Sequence, residues 1–187
     1  MNITLEDGTT LEVYQDEYPS SPREWSNITT LIFFGSFSHL GDKHDFRSED
    51  ASNWDEQEKL IRSKLNVKHI QKVYGYSHSG LAISTSPFSC PWDSGVLGFA
   101  VITGNNVTEC MGGKYATKKN IAKAIEQVDG EIEVLNQYVQ GEVYGFNIEY
   151  ADGNSDSCNG YYGSDIEENG ILDEIPKEYH KEILNAV

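Results

Sequence analysis

Six apolar residues between Ile121 and Val139 set the strongest constraint on how this chain can fold. Ile121, Ile125, Val128, Ile132, Leu135 and Val139 follow one another at spacings of 4, 3, 4, 3 and 4, the period of one helix face. Thr117 is placed to cap the N-terminus, so the pattern predicts one long amphipathic helix over 117–138. Such a helix must bury its stripe against another element. Strands are expected at 28–34, 69–76, 81–84, 96–102 and 142–150, with a shorter helix at 54–65 and a C-terminal helical region at 171–184. Asp7-Gly8 stands between two short apolar runs, a type I′ hairpin signal. Residues 86–95 carry Pro87 and Pro91 and read as a rigid loop anchored by Phe88 and Trp92; residues 152–163 read as a Gly/Asn/Ser loop. The expectation is an α+β fold: a single domain over 1–187, with an antiparallel or mixed sheet, one long amphipathic helix and one or two shorter ones.

Charge is distributed along the chain in blocks. Residues 1–58 hold thirteen Asp/Glu against three Lys/Arg, residues 59–125 two against nine, and residues 126–187 fifteen against two, within a net charge of −16. Net charge far from zero makes a compact state repel itself, so folding does not select this pattern. With 38% hydrophobic and 11% aromatic residues the chain can still build a core, which separates it from acidic disordered segments. A surface of this kind attracts basic partners and repels nucleic acid. The basic middle (Lys59, Arg62, Lys64, Lys68 and Lys72, near Tyr74 and Tyr76) is read as internal pairing rather than as a phosphate-binding patch. In the predicted long helix, Lys118, Lys119 and Lys123 precede Glu126, Asp129, Glu131 and Glu133, the reverse of what the helix dipole favours. Three cysteines without metal-type spacing, no basic and apolar leader and no long apolar run point to a soluble protein of the cytoplasm.

Several segments together resemble a known family. They are Pro22-Arg23-Glu24-Trp25-Ser26-Asn27, Leu40-Gly41-Asp42-Lys43-His44, Ser77-His78-Ser79-Gly80-Leu81-Ala82-Ile83-Ser84-Thr85, Phe88-Ser89-Cys90-Pro91-Trp92-Asp93-Ser94-Gly95 with Gly98-Phe99, Gly141-Glu142-Val143-Tyr144-Gly145-Phe146, and Asp156-Ser157-Cys158-Asn159-Gly160-Tyr161-Tyr162-Gly163. In these the chain is similar to a family of small uncharacterised acidic proteins encoded by phages, prophages and plasmids. It departs from that pattern at Ile28 and Asn159. The resemblance carries over no catalytic residue. It implies a mobile-element setting, in which small acidic proteins often disarm host defence.

Three constellations invite a chemical reading. His78, Cys90 and Asp93 suggest a cysteine–histidine nucleophile, set against the plainer account of a packed loop cysteine. His39, Asp42, His44 and Asp45 offer imidazole and carboxylate to a metal, set against a solvated polar loop. Asp152, Asn154 and Asp156 begin like a calcium loop, but the twelve-residue pattern fails at Ser157 and Gly163, and a turn is the simpler reading. No phosphate-binding or dinucleotide glycine motif is present.

The function expected is therefore binding rather than catalysis, with no cofactor and no metal. The chain is read as a phage-type anti-defence protein of the host cytoplasm. It inhibits a basic, nucleic-acid-binding host nuclease of restriction or CRISPR type through a DNA-mimicking acidic surface, without touching nucleic acid or membrane itself. The carboxylates expected to bind are Glu142, Glu149, Asp152, Asp156, Asp165, Glu167 and Glu168, with Tyr144, Tyr150, Tyr161 and Tyr162 as aromatic anchors. The alternative is a metal- or cysteine-dependent enzyme using the loop of His39 and Asp45 or the loop of His78, Cys90 and Asp93.

Overall fold

The computed structural model describes residues 1–186. The strands are β1 (Asn2–Thr4), β2 (Thr10–Gln15), β3 (Thr30–Phe33), β4 (Val67–Ser77), β5 (Leu81–Ser84), β6 (Ser94–Thr103), β7 (Val143–Glu149) and β8 (Ser155–Tyr162). The helices are α1 (Trp54–Lys64), α2 (Gly104–Met111), α3 (Lys118–Ile125), α4 (Val128–Gln140), α5 (Ile171–Glu174) and α6 (Lys177–Ala186). The fold is α+β, and both of its sheets are antiparallel. The chain divides into two compact units: Met1–Ser20 with the chain from Gln137 onward, and Ser21–Asn136.

The unit Ser21–Asn136 holds a sheet of order β3-β6-β4-β5. Leu97 and Phe99 through Ile102 of β6 are all buried, and successive strand residues face opposite sides, so both faces of this strand are covered. On one side Phe99 and Val101 join Ile32, Phe34, Ile61 and Ile70 in a core cluster, and Trp54 stands edge-on to Phe34 and Phe99. Helix α2 lies against β6, and α3 against β4. Nothing in the sequence reading anticipated α2. Its Gly-Asn-Asn start resembles a turn, yet Thr103 and Asn106 cap it reciprocally, side chain to backbone in both directions.

The stripe predicted as one helix is divided between two. Thr117 caps α3 as expected, accepting from the Asn120 amide at 3.2 Å. At the junction the Gln127 amide turns back to the carbonyl of Ala124, a three-residue step that tightens the helix and shifts its inward face. Ala124 is therefore fully buried, while Ile125 is left 38% exposed. Beyond the junction Val128, Ile132 and Leu135 are buried as their spacing requires. The carboxylate of Glu131 then accepts from the amides of Ile28 and Thr29 and from the Thr29 hydroxyl, fixing the entry to β3.

The other unit is a sheet of order β1-β2-β7-β8. Leu11, Phe146 and Ile148 point to one side, where Leu5, Ile166 and the α5–α6 residues Ile171, Leu172, Ile175 and Ile183 complete the core. The expected Gly/Asn/Ser loop over 152–163 is mostly strand. Ser155–Tyr162 pairs with β7 along its length, with one extra residue opposite the step from Tyr144 to Gly145. Its polar composition concealed it, because an exposed edge strand buries almost nothing and needs only backbone pairing. The N-terminal hairpin forms where Asp7-Gly8 predicted, but with different turn geometry. The Leu5 amide reaches the Thr9 carbonyl across three loop residues, and Gly8 alone has positive φ. A type I′ turn needs positive φ at both central positions, so this is a type I turn closed by a glycine bulge. The β7–β8 turn repeats it, with Tyr150 bonded to Asn154 and Gly153 at φ 87°.

Candidate partner-binding surface

The start of the first acidic block and most of the last belong to one unit. Residues 1–20 and 137–187 carry sixteen Asp/Glu and two Lys, a charge of −14; the remaining 116 residues carry fourteen Asp/Glu and twelve Lys/Arg, or −2. Strands β1, β2, β7 and β8 contain no Lys or Arg. The ion pairs found among the described residues (Arg23–Asp42, Arg23–Glu131, Arg62–Glu58, Lys72–Asp55 and His78–Asp93) all lie within Ser21–Asn136. The hydrogen bonds observed to carboxylates of this unit come from neutral donors.

Several of the predicted carboxylates have a local structural task. Asp152 accepts from the Asn154 amide at 2.9 Å and from its side chain at 2.8 Å, closing the β7–β8 turn. Asp7 does the same for Thr9 in the N-terminal turn, and the Thr9 amide holds its carboxyl below the usual carboxylate range. This turn chemistry accounts for the calcium-like spacing at Asp152. Asp165 accepts from the Glu167 amide at 2.8 Å, and Asp156 from the Tyr150 hydroxyl at 3.3 Å. Glu149, Glu167 and Glu168 are exposed, and Glu142 is half-buried where β7 begins.

The predicted tyrosine anchors serve the unit's own packing. Tyr144, Tyr150 and Tyr161 lie against its core, Tyr161 with its ring 5.9 Å from that of Phe146. Burial pushes the Tyr150 and Tyr161 phenols up from their ordinary values, with the Asp156 contact adding to the effect at Tyr150. Tyr162 donates to the Ser20 carbonyl. The aromatic side chain this unit does present is Tyr18, 90% exposed.

The two loops with possible chemistry differ in arrangement. Asp93 Oδ2 lies 3.2 Å from His78 Nδ1 and 3.7 Å from Cys90 Sγ, so these three residues are brought together. The thiol donates to the carboxylate, whereas a cysteine nucleophile is normally activated by an adjacent imidazole. His78 is largely exposed and stacks on Tyr76. The other loop does not converge: His39 bonds the Ser36 carbonyl, His44 the Phe33 carbonyl, Asp42 pairs with Arg23, and Asp45 is exposed. Among the described residues no group of three or more His, Cys, Asp or Glu is arranged to hold a metal ion.

In the basic middle, Arg62 pairs with Glu58 and Lys72 with Asp55, while Lys64 stands over the Phe46 ring. The Asp55 contact raises the Lys72 ammonium above its ordinary value, and Lys72 in turn lowers Asp55.

Sequence reasoning missed Glu12 and Asn147. Their signal was the polar alternation of Thr10, Glu12 and Tyr14 against Leu11 and Val13, and of Asn147 and Glu149 against Phe146 and Ile148. Asn147 Nδ2 donates to Glu12 at 3.1 Å on the open face of the sheet. No helix among the described residues is long and apolar enough to cross a membrane. Comparison with family models, with curated proteins and with solved structures finds no match for the chain.

Proposed function

We propose that this chain is a binding protein whose acidic unit occupies the nucleic-acid channel of a basic host protein. In this reading it is a mobile-element inhibitor of a restriction-type or RNA-guided nuclease, acting in the host cytoplasm. One observation carries the proposal: −14 of the net −16 belongs to one small unit whose strands hold no Lys or Arg and, among the described residues, no ion pair. Duplex DNA presents one negative charge per ~1.7 Å of axis, so a channel built for it is lined with Lys and Arg. A rigid array of carboxylates competes for those side chains and is steered to them from a distance. The contact residues are Glu142, Glu149, Asp152, Asp156, Asp165, Glu167 and Glu168, joined by Glu12 and by the exposed ring of Tyr18.

The test is capture of tagged protein from nuclease-treated bacterial lysate at about 0.1 and 0.5 M salt, between which screening shortens from roughly 10 Å towards a few ångströms. The expected result is a basic nucleic-acid enzyme bound at low salt and weakened at high salt, whose cleavage of DNA the chain inhibits. Changing Glu142, Glu149, Glu167 and Glu168 together to Lys abolishes that inhibition without unfolding the protein. Inhibition undiminished in that variant would sink the charge-mimicry mechanism.

The second reading, a cysteine-dependent enzyme, draws on the convergence of His78 and Cys90 at Asp93. It predicts stoichiometric labelling of Cys90 by an electrophilic thiol probe that His78→Ala slows strongly. Labelling unaffected by His78→Ala removes this reading.

A further inference from the structure

Resting on the inhibitor reading above, we propose that the open face of the β1-β2-β7-β8 sheet is a cleft for the arginine side chains of the partner protein. The strand register fixes which side chains stand there, because residues directly opposite each other share a face. Asn2, Glu12, Asn147 and Ser157 form one row across all four strands, and Thr4, Thr10, Glu149 and Ser155 form the next. All eight are exposed, and together with Asp156 they border an open depression of about 540 Å³. In the following row the Tyr14 ring lies across Gly145, where a Cβ would come within 2.7 Å of its Cζ. The floor of the cleft is therefore small and polar, with an aromatic ring at the end of its run.

Charge selects the occupant. Each row presents one carboxylate among uncharged hydroxyl and amide groups, and the four strands carry no Lys or Arg to neutralise it. Solvated sheet faces ordinarily mix both signs, with lysine common at edges. Glu12 and Glu149 are diagonal neighbours on adjacent strands, which places them roughly 7–8 Å apart. That spacing lets two guanidinium groups of one extended segment each meet a carboxylate at two points. Ser, Thr and Asn oxygens in the same rows accept the N–H groups that remain. Asn147 holds Glu12 in place from the side. Lysine offers the same charge but no fork, so arginine is preferred.

The test is calorimetric titration with the synthetic peptide acetyl-Gly-Arg-Gly-Arg-Gly-Arg-amide and its lysine counterpart at low salt. The native chain is expected to hold the arginine peptide more tightly than the lysine one. Glu12→Gln with Glu149→Gln should weaken it about tenfold or more, the scale of one lost two-point pair. Glu167→Gln with Glu168→Gln, an equal change of charge outside the cleft, should weaken it no more than about twofold. Ser157→Arg, on the exposed edge strand, should abolish binding by filling the cleft from within, and circular dichroism checks that each variant is folded. Equal weakening by both double variants, or no binding to the native chain, overturns the cleft. Nuclease inhibition that survives Glu12→Gln with Glu149→Gln likewise overturns it while leaving the inhibitor reading intact. Selective peptide binding by a chain that inhibits no nuclease supports the cleft and removes the inhibitor reading.

Discussion

Arg23 and Asp42, nineteen residues apart, meet as a two-point pair, with Nη2 to Oδ2 at 2.6 Å and Nε to Oδ1 at 3.3 Å. The same guanidinium donates to the Thr29 carbonyl, and Asp42 Oδ2 also accepts from the Leu31 amide, so the pair holds the start of β3 along the edge that β6 leaves free. Pro22-Arg23-Glu24 and Gly41-Asp42-Lys43, central to two of the resemblance segments, are thus joined by a structural pair. Arg23 is only 8% exposed in its side chain, so removing it takes from Asp42 and Glu131 the cation they share. Arg23→Ala is predicted to lower the unfolding free energy by about 3–5 kcal/mol in a denaturant titration. A loss below about 1 kcal/mol would place the pair among ordinary surface contacts.

Two glycines make opposite predictions. A Cβ on Gly98 would sit 2.0 Å from the backbone oxygen of Ile32, so Gly98→Ala forces β3 and β6 apart and should cost about 3 kcal/mol or more. Gly130 in α4 has nothing within 4 Å of its missing Cβ. Gly130→Ala should therefore stabilise by about 0.5–1 kcal/mol, through helix propensity and a less free unfolded chain. Thermal unfolding of the two variants beside the native chain decides both.

The Asp7 carboxyl is held below its ordinary range by the Thr9 amide, so the folded state favours its ionised form. A depressed folded-state value gives stability that is present above the unfolded carboxylate range, near pH 4, and lost as pH falls through the lower folded value. The Tm of Asp7→Asn should fall short of the native value at pH 6, and the gap should close as pH drops below the carboxylate range. A gap independent of pH would show that the ionised form contributes nothing.

A unit with sixteen carboxylates, two lysines and none of the observed ion pairs repels itself. Raising NaCl from about 0.02 to 0.5 M should raise the denaturation midpoint, because screening removes repulsion where there is little attraction to lose. A lower midpoint at high salt would mean that the ion pairs of Ser21–Asn136 dominate.

Much of the fold was legible because hydrophobic period reports burial directly. Residues 28–34, 81–84 and 142–150 each contain a strand, 69–76 and 96–102 lie inside the longer β4 and β6, and 54–65 contains α1. Elements that bury little left no such trace. β8 is an exposed edge strand of Ser, Asp, Asn and Gly held by backbone pairing, and α2 is a short helix whose capping residues look like a turn. The break at Glu126 and Gln127 was hidden because the spacing of the stripe is regular on both sides of it.

The sequence by itself determined the charge of each block, the amphipathic stripe, the strands with apolar alternation and the places where glycine turns the chain. These are local properties, carried by residue type and period. Only the tertiary structure decided that residues 1–20 join the chain after 136 in one unit, which brings parts of two acidic blocks together in a unit of net charge −14. It also decided that Tyr144, Tyr150 and Tyr161 pack inward, and that Glu12 and Glu149 stand on one open face. The physical reason is pairing between distant strands: which β2 residue faces which β7 residue is set by register, and register is fixed when Leu11 and Ile148 are buried together.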